Sequence, residues 1–434
     1  MTPAAQLARF AREARPSEPN LDMMRLSLLD WVSVGCAGRD EPVARIIRNM
    51  VLTEGGQGPA HIFGDPTPQP PRATALVNGT ISHALDYDDT HFAHIGHPSV
   101  AVLPAALALA ESEARSGAEF LNAALLGVEA SIRVGLWLGR SHYQAGFHQT
   151  ATAGAFGAAV AAGLLLDLAE PQLETALNLV ATRASGLKSQ FGSMGKPYNA
   201  GIAAANGVEA AQLASLGMSA APDGMGSLQG FGPTHHGALE TAHLTPDGFW
   251  LFDQISHKFH ACCHGTHAAL EALAQIAPQV TGDIAEVEIT THPRWLSVCD
   301  IKSPRSGLEV KFSYAHTAAM ALSGLSTAAL DSFSDTVAAD PNLQALAKRV
   351  TVTADAKMPE TASHVRVQAA NGAAEASCDL ADPIPRSALT DKLRAKSAAL
   401  IGSEAEKALW DAITKGADPS QIGAFLNGSQ EVRS

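Results

Sequence analysis

A segment rich in acidic and histidine residues is the first candidate for a functional site. Residues 83–99 read HALDYDDTHFAHIGHPS, with Asp86 and Thr90 four residues apart and His97 directly before a proline. At helical spacing Asp86 and Thr90 share a face, and the His-Pro step takes the chain out of the helix. The segment is either a capped helix end with solvated acids or a cluster that transfers protons.

Two further segments place a basic or phenolic group in a glycine-containing loop before an apolar helix. RSHYQAGFHQT carries Tyr143 and His148, and SMGKPYNAG carries Lys196 between a glycine and a proline. Amides at a helix N-terminus attract anions, and desolvation lowers the pKa of a lysine enough to make it a usable base. An ordinary surface lysine and a core histidine are the competing interpretations.

A cation-rich stretch follows later in the chain. Residues 257–267 read HKFHACCHGTH and contain Lys258 and His264, and Arg305 lies in a turn further on. Histidines and cysteines raise the possibility of zinc, but their spacing matches no common zinc pattern. Binding of an anionic substrate is the preferred interpretation, since arginine can hold a carboxylate with two hydrogen bonds. Arg305 could equally be an ordinary surface arginine.

Composition removes several classes of protein. The chain has 434 residues, 46% of them hydrophobic and 17% charged, with a formal net charge of −13. This is a globular composition, and a net-negative chain without a basic run is a poor binder of nucleic acid or anionic membranes. Dinucleotide, P-loop and Gly-x-Ser-x-Gly motifs are absent, which disfavours hydride transfer, phosphoryl transfer and serine hydrolysis. Cofactor-free proton abstraction beside a carboxylate remains.

The cysteine content and the first residues of the chain indicate the cellular compartment in which the protein is expected. The five cysteines are odd in number and sparse, which favours a reducing compartment over a disulfide scaffold. The first residues have no apolar core of a secretory signal, and the apolar stretch 151–166 is too short to span a bilayer. We therefore expect a cytoplasmic protein without a membrane segment.

Apolar periodicity predicts helix after helix in the first part of the chain. The predicted helices cover residues 21–37, 72–85, 100–116, 118–138, 150–166, 171–185, 200–216 and 266–276. After Pro278 alternating β-branched segments predict strands at 284–292, 349–355, 364–370 and 374–380, the last two joined by an Asn-Gly turn. The predicted fold is mainly α: an all-helical domain over residues 1–277, completed by 389–434, and a smaller α+β domain over 278–388.

Taken together, the segments resemble the MmgE/PrpD family, which includes 2-methylcitrate dehydratase, cis-aconitate decarboxylase and iminodisuccinate epimerase. The resemblance rests on LDYDDTH, GHPS, GFHQT, GKPYNAG, HKFHACCHGTH and PRSGLEVKFS, found in family order over most of the chain. It implies a helical domain with an α+β domain near the C-terminus, a homodimer, and an enzyme that needs no cofactor and no metal.

The resemblance also implies site residues. Matched by motif, they are Asp86, Thr90, His97, His148, Lys196 and Lys258. One departure is visible, because the register in which many members have a tyrosine holds His316, with Tyr314 two residues before it. His264, Arg305 and His316 are further expected contacts for carboxylates, so substrate-binding cations are expected from both domains.

The expected activity is removal of the α-proton of a small polycarboxylate. Because HFAHIGHPS replaces the tryptophan-bearing version associated with dehydratases and decarboxylases, an epimerase of iminodisuccinate type is the specific expectation. A dehydratase of 2-methylcitrate type or a related decarboxylase is the alternative. A non-catalytic polycarboxylate-binding protein is the alternative from another class, and the intact Lys196, His97 and Asp86 argue against it.

An epimerase needs an acid or base on each face of the carbon. Lys196 is expected as one of the pair. Tyr143 is the candidate for the other, in competition with His97, which titrates near neutrality without help. Asp86 would then orient His97 or keep it charged.

Overall fold

The computed structural model describes residues 1–245 and 248–427, which divide into two compact units. The first contains Met1–His257 and the chain from Leu400 onward, and the second contains Lys258–Ala399. The mainly α fold is confirmed. Residues 258–277 and 389–399, grouped with the helical domain in the sequence analysis, fall in the second unit. The helix within 258–277 packs on the sheet of that unit.

The first unit is a bundle of helices with a short β-hairpin. Its helices are α1 (Pro3–Glu13), α2 (Glu18–Gly38), α3 (Pro42–Glu54), α4 (Pro71–Ser82), α5 (Ser99–Ser112), α6 (Gly117–Ala145), α7 (Gln149–Leu165), α8 (Glu170–Val180), α9 (Gly195–Ser215) and α10 (Phe231–Thr234). Strands β1 (Ala60–Ile62) and β2 (Asp65–Gln69) pair antiparallel. The sequence analysis missed this hairpin, because β2 contains two prolines and lacks alternating apolar residues.

Helix α7 is the central helix of the bundle, and nearly all of its side chains are buried. It packs against α5, α6 and α9 through glycine and alanine, which let backbones approach closely. A Cβ at Gly157 would lie 2.5 Å from the carbonyl oxygen of Gly127 on α6, and a Cβ at Gly207 on α9 would lie 2.6 Å from the backbone nitrogen of Ala159. Small residues on nearly every face therefore place this helix in the core, as the sequence indicates.

Helix α6 is long and apolar enough to cross a membrane by length and composition. Of its most apolar window, 89% is buried inside the protein, as in the core helix of a folded bundle. Its regular geometry is interrupted at Gly139, where φ is 69° and ψ is −174°. A positive φ at this point is readily adopted by glycine and redirects the last turns of the helix.

The second unit combines a mixed sheet with helices. Its helices are α11 (His267–Ile276), α12 (Pro293–Leu296), α13 (Gly307–Val310), α14 (Tyr314–Leu322), α15 (Asp335–Ala338), α16 (Pro341–Ala347) and α17 (Arg386–Ile401). Its strands are β3 (Ile284–Thr291), β4 (Val350–Ala354), β5 (Ala362–Ala369) and β6 (Gly372–Asp379), in the order β4-β3-β5-β6. Strands β3 and β4 are parallel and the other pairs antiparallel. Helix α11 packs on β5 and β6. After this unit the chain adds α18 (Ser403–Thr414) and α19 (Pro419–Leu426) to the first.

One helix crossing in the first unit fixes the segments that carry the candidate site. Helices α4 and α9 meet at Gly79 and Gly201, where a Cβ on Gly79 would lie 2.9 Å from the Gly201 Cα. A Cβ on Gly201 would overlap the Thr80 hydroxyl and the Leu76 carbonyl oxygen. The acidic segment starts where α4 ends, and α9 starts at the Gly-Lys pair. The crossing therefore sets the distance between the two.

We predict that Gly201→Ala lowers the free energy of unfolding by about 1–3 kcal/mol, because the backbone of α4 must move to admit the methyl group. Urea denaturation followed by circular dichroism measures the change. Ser215→Ala, at the exposed end of the same helix, is the control and should shift stability by less than about 0.5 kcal/mol. Equal denaturation midpoints for Gly201→Ala and the native protein would show that the crossing is not tightly packed.

Candidate active site

The acidic segment is a loop rather than a helix end. The helix predicted over 72–85 stops at Ser82, and Asp86 has a left-handed backbone with φ of 52°. Asp86 and Thr90 therefore do not share a helical face, which corrects the expectation from their spacing. Polar side chains that bond within the loop compete with the helical ladder. Thr90 instead pairs with Ser256, with backbone hydrogen bonds of 2.7 and 2.8 Å.

Asp86 is the point where the predicted site residues meet. Its Oδ1 accepts from Lys196 Nζ at 2.7 Å and lies 3.1 Å from His97 Nε2. The Lys196 and His97 side chains are mostly buried, whereas Asp86 is half-exposed. A carboxylate with one side open to solvent thus holds two cations at a partly buried position, and a second anion could compete for them.

Asp88, a second carboxylate that the sequence analysis did not identify, contacts two imidazoles, His83 and the ring nitrogen of His97 that does not face Asp86. Asp88 is buried; its Oδ1 accepts from His83 Nδ1 at 2.9 Å, and its Oδ2 lies 3.0 Å from His97 Nδ1. The rings of His83 and His97 pack edge to face with centroids 4.7 Å apart. In the sequence, Asp86 and Asp88 flank Tyr87, and this pair of acids could have indicated a second carboxylate in the site. Spacing along the chain alone does not show which acid contacts which histidine.

Charge determines the protonation of this cluster. Burial alone would raise the pKa of Asp88, but His83 and His97 outweigh it and hold that pKa far below its usual range. Burial would likewise lower the pKa of His97, but Asp88 and Asp86 raise it above its ordinary value. For His83 burial prevails and its pKa is lowered. The cluster therefore favours a charged His97 between two carboxylates and a neutral His83.

His148 completes the group on the side of α7. Its ring is buried, lies stacked 6.1 Å from His83 and meets Phe191 edge-on at 4.9 Å. Phe191 also lies 5.5 Å from the Lys196 ammonium. Burial first, and then the nearby His83, Lys196 and His97, lower the pKa of His148 well below its ordinary value. Within one cluster, His97 is thus favoured as a cation and His148 as a neutral ring.

Tyr143 is not brought into the cluster. It lies near the end of α6, with the Lys188 ammonium 3.7 Å from the centre of its ring, and its carbonyl oxygen accepts from that ammonium at 3.1 Å. Over residues 1–245 and 248–427 its hydroxyl makes no hydrogen bond to the groups around Asp86. Its role as a second acid or base stays a prediction without this geometric support.

The remaining predicted residues lie in the second unit. Lys258 is buried and His264 half-buried, its ring centroid 4.8 Å from that of His267. Arg305 is exposed, with its guanidinium 3.9 Å from Glu309. His316 is buried at the start of α14, where its Nε2 lies 3.2 Å from the Val337 carbonyl oxygen. For these residues a role in binding stays a prediction.

Metal binding can be assessed from the donor atoms. The histidines of residues 257–267 are engaged elsewhere: His260 contacts Thr327 and Glu271, and His267 contacts the Cys262 carbonyl oxygen. Within residues 1–245 and 248–427, a group of four donors is instead formed by His83, Asp86, Asp88 and His97, with ligand atoms within 4.8 Å of one another. Because the Lys196 ammonium and two imidazoles already lie against these carboxylates, we predict that the cluster needs no metal.

The first unit of the chain is thus a helical bundle that holds a partly buried lysine–aspartate–histidine cluster, and the second unit combines a mixed sheet with helices. The chain belongs to the MmgE/PrpD family: residues 5–240 match the MmgE/PrpD N-terminal domain and residues 260–414 the MmgE/PrpD C-terminal domain.

Individual relatives are similar at a lower level. The cis-aconitate decarboxylase-like protein oryM of Aspergillus oryzae (strain ATCC 42149 / RIB 40) is 29% identical over 293 residues, or 63% of this chain and 61% of the relative. Human cis-aconitate decarboxylase is 29% identical over 269 residues, covering 59% and 55%. The Aspergillus terreus decarboxylase is 29% identical over 274 residues, covering 59% and 56%. The matched region thus spans about three fifths of each relative's length or less.

We predict that Asp88→Asn lowers the pKa of His97, because the amide removes one of the two carboxylates that raise it. Titration of the histidine ring protons by NMR, with His97 assigned from a His97→Gln variant, measures the shift. Glu111→Gln is the matched control, since it alters a buried carboxylate beside His61 elsewhere in the unit and should leave His97 unchanged. An unaltered His97 pKa in Asp88→Asn would contradict the assignment.

We further predict that any turnover of the protein persists after dialysis against EDTA, within about twofold of the untreated protein, because an ammonium and two imidazoles already lie against the carboxylates at this site. The assay compares treated protein with protein supplied afterwards with Zn²⁺, Mn²⁺, Mg²⁺ or Fe²⁺. Loss of activity that one of these ions restores would show a metal requirement.

Proposed function

We propose that the protein is a cofactor-independent lyase that acts on a small polycarboxylate at the carbon next to a carboxylate. The observation that supports this best is the position of Asp86, which holds the Lys196 ammonium and the His97 imidazolium together. A substrate carboxylate carries the same charge and geometry as the Asp86 side chain. It can therefore take over one or both cations.

The same groups can supply the chemistry. In a decarboxylation the bond between carbon and carboxylate breaks, carbon dioxide leaves, and the electron pair remains on carbon until a proton arrives. His97, held charged by its carboxylate partners, is suited to deliver that proton. Lys196 next to the departing electrons stabilises the negative charge in a partly water-excluded site.

A dehydration would use the same groups in another order. A base removes the proton next to the carboxylate, the bond from the neighbouring carbon to the hydroxyl oxygen breaks, and an acid protonates the departing oxygen. Asp86, once a substrate carboxylate has replaced it beside Lys196, is available as a base, and His97 as the acid. The similar fungal and human proteins are named cis-aconitate decarboxylases, so decarboxylation of a cis-aconitate-like tricarboxylate is the first reaction to test.

An epimerase of iminodisuccinate type is a second candidate, favoured by one observation. The residues after Thr90 read HFAHIGHPS and lack the tryptophan of the dehydratase and decarboxylase version. Epimerisation needs proton donors or acceptors on both faces of the carbon. Tyr143, the expected second group, makes its ring contact with Lys188 instead. The lyase therefore has the stronger geometric support.

The deciding experiment incubates the protein in deuterium oxide with cis-aconitate, 2-methylcitrate and iminodisuccinate and follows the products by NMR. We expect loss of carbon dioxide with one deuterium added to carbon, or unsaturation without loss of carbon. Deuterium in an otherwise unchanged substrate would identify the epimerase. Tight binding without reaction or exchange would identify a binding protein and contradict the lyase.

We predict that Lys196→Ala reduces turnover at least about 100-fold, because the cation that stabilises the negative charge on the reacting carbon is lost. Tyr143→Phe tests the alternative: a lyase should keep turnover within about threefold, whereas a Tyr143-dependent epimerase should lose it. Lys415→Ala removes an exposed lysine that pairs with Asp411 and is the control for general charge effects. Full activity of Lys196→Ala would exclude a mechanism in which this lysine stabilises the departing electrons.

A further inference from the structure

The orientation of the His148 ring is set by a contact with Asn199, a residue that has no part in the proton transfers proposed for His97 and Asp86. His148 immediately precedes α7, and its backbone amide donates to the Gly186 carbonyl oxygen at 3.0 Å. Its ring Nδ1 lies 3.2 Å from the Nδ2 of Asn199, another buried side chain. Asn199 follows Lys196 by three residues on α9, so one turn of this helix carries both residues.

A backbone carbonyl determines which way the Asn199 amide must face. The amide end that approaches His148 also lies 3.3 Å from the Leu187 carbonyl oxygen. A carbonyl oxygen can only accept a hydrogen bond, so this end must be the NH2 group, which has two protons to donate. The opposite orientation would place two oxygens against each other.

The amide orientation in turn determines the His148 tautomer. Because the Asn199 NH2 group donates to Nδ1, that nitrogen must carry a lone pair, and the ring proton of neutral His148 must be on Nε2. Nε2 makes no hydrogen bond to any residue within 1–245 or 248–427. Its proton is therefore available to a bound molecule.

The surroundings keep this donor uncharged. The His148 ring is buried beside His83, and the positive charges of Lys196 and His97 act on it. A further proton on the ring would have to be accepted next to these cations and without water. A neutral donor beside two cations can hydrogen-bond a developing enolate or carboxylate oxygen without an additional buried charge.

We propose that Asn199 is a positioning residue that holds His148 as the neutral Nε2–H tautomer, and that His148 in this form donates a hydrogen bond to the polycarboxylate. The second half rests on the proposed function. The first half does not, because the tautomer is a property of the free protein. In this view the segment GKPYN supplies two parts of one anion site: a cation at Lys196 and, through Asn199, an oriented neutral donor.

Asn199→Asp tests the proposal with almost no change in size. A carboxylate at this place accepts instead of donating, so His148 must put a proton on Nδ1 and gains a favourable partner for its charged form. Nitrogen-15 NMR of labelled histidines, with His148 assigned from a His148→Gln variant, reports which ring nitrogen is protonated. We expect an unprotonated Nδ1 in the native protein and a protonated one in Asn199→Asp.

Turnover and ligand binding provide separate measurements. We expect Asn199→Asp to lower kcat by about 10- to 100-fold with a smaller change in KM, because the wrongly protonated ring meets the substrate in the transition state. Citrate added to the native protein should shift the His148 Nε2–H resonance. Asn199→Ala should give a mixture of both tautomers and an intermediate kcat, which an effect on folding alone would not produce.

Asn206→Asp is the matched control. Asn206 lies two turns further along α9, is also buried, and bonds to Arg183 instead of a histidine. The Asn206→Asp substitution should therefore leave the His148 tautomer and the turnover unchanged.

A protonated Nδ1 in the native protein, or full turnover in Asn199→Asp, would overturn the positioning role. An unshifted Nε2–H resonance in saturating citrate would overturn the donor role, whereas absence of every tested reaction with the expected tautomer would refute the lyase and leave Asn199 as assigned.

Discussion

The close approach of α4 and α9 at Gly79 and Gly201 is the constraint on which the site depends. A 2.7 Å contact between Lys196 and Asp86 needs the start of one helix and the end of another at a fixed separation, and side chains at the crossing would hold the backbones apart. The cost of these glycines is conformational freedom in the unfolded chain. Burial of α7, packed against α9 by the same small-residue contacts, offsets that cost.

Asp88 and Asp89 are neighbours in the chain, but their surroundings shift their pKa values in opposite directions. Asp88 faces two imidazoles and stays ionised, whereas burial raises the pKa of Asp89 to about 7, with Asp30 and Asp88 adding to the effect against the hydrogen bond from Ser99. One acid therefore belongs to the proton-handling cluster. Asp89 instead ties the loop to Ser99, the first residue of α5. Because its pKa is raised in the folded protein, the stability that protonated Asp89 contributes is lost as the pH rises through that pKa.

The sequence predicted those features that depend on local pattern. Apolar periodicity located the long helices, and alternation located the strands of the mixed sheet; motif spacing selected Asp86, His97 and Lys196, which the fold brings together. What it could not predict depends on distant partners. The hydrogen bond from Asn199 to His148 joins residues 51 positions apart, and the choice of Asp88 as partner of His97 depends on a left-handed turn within the loop.

In the proposed function, Asp86 occupies in the free protein the place that a carboxylate of the substrate would take. With a net charge of −13 the protein as a whole repels a polycarboxylate, although salt screens that repulsion beyond about 8 Å. Attraction must therefore arise locally, from Lys196 and His97. In the free protein Asp86 holds both cations in place, so an incoming carboxylate can exchange with one anion that already lies beside them. A neutral His148 fits the same logic, because a third cation beside these two would have no resident anion to balance it.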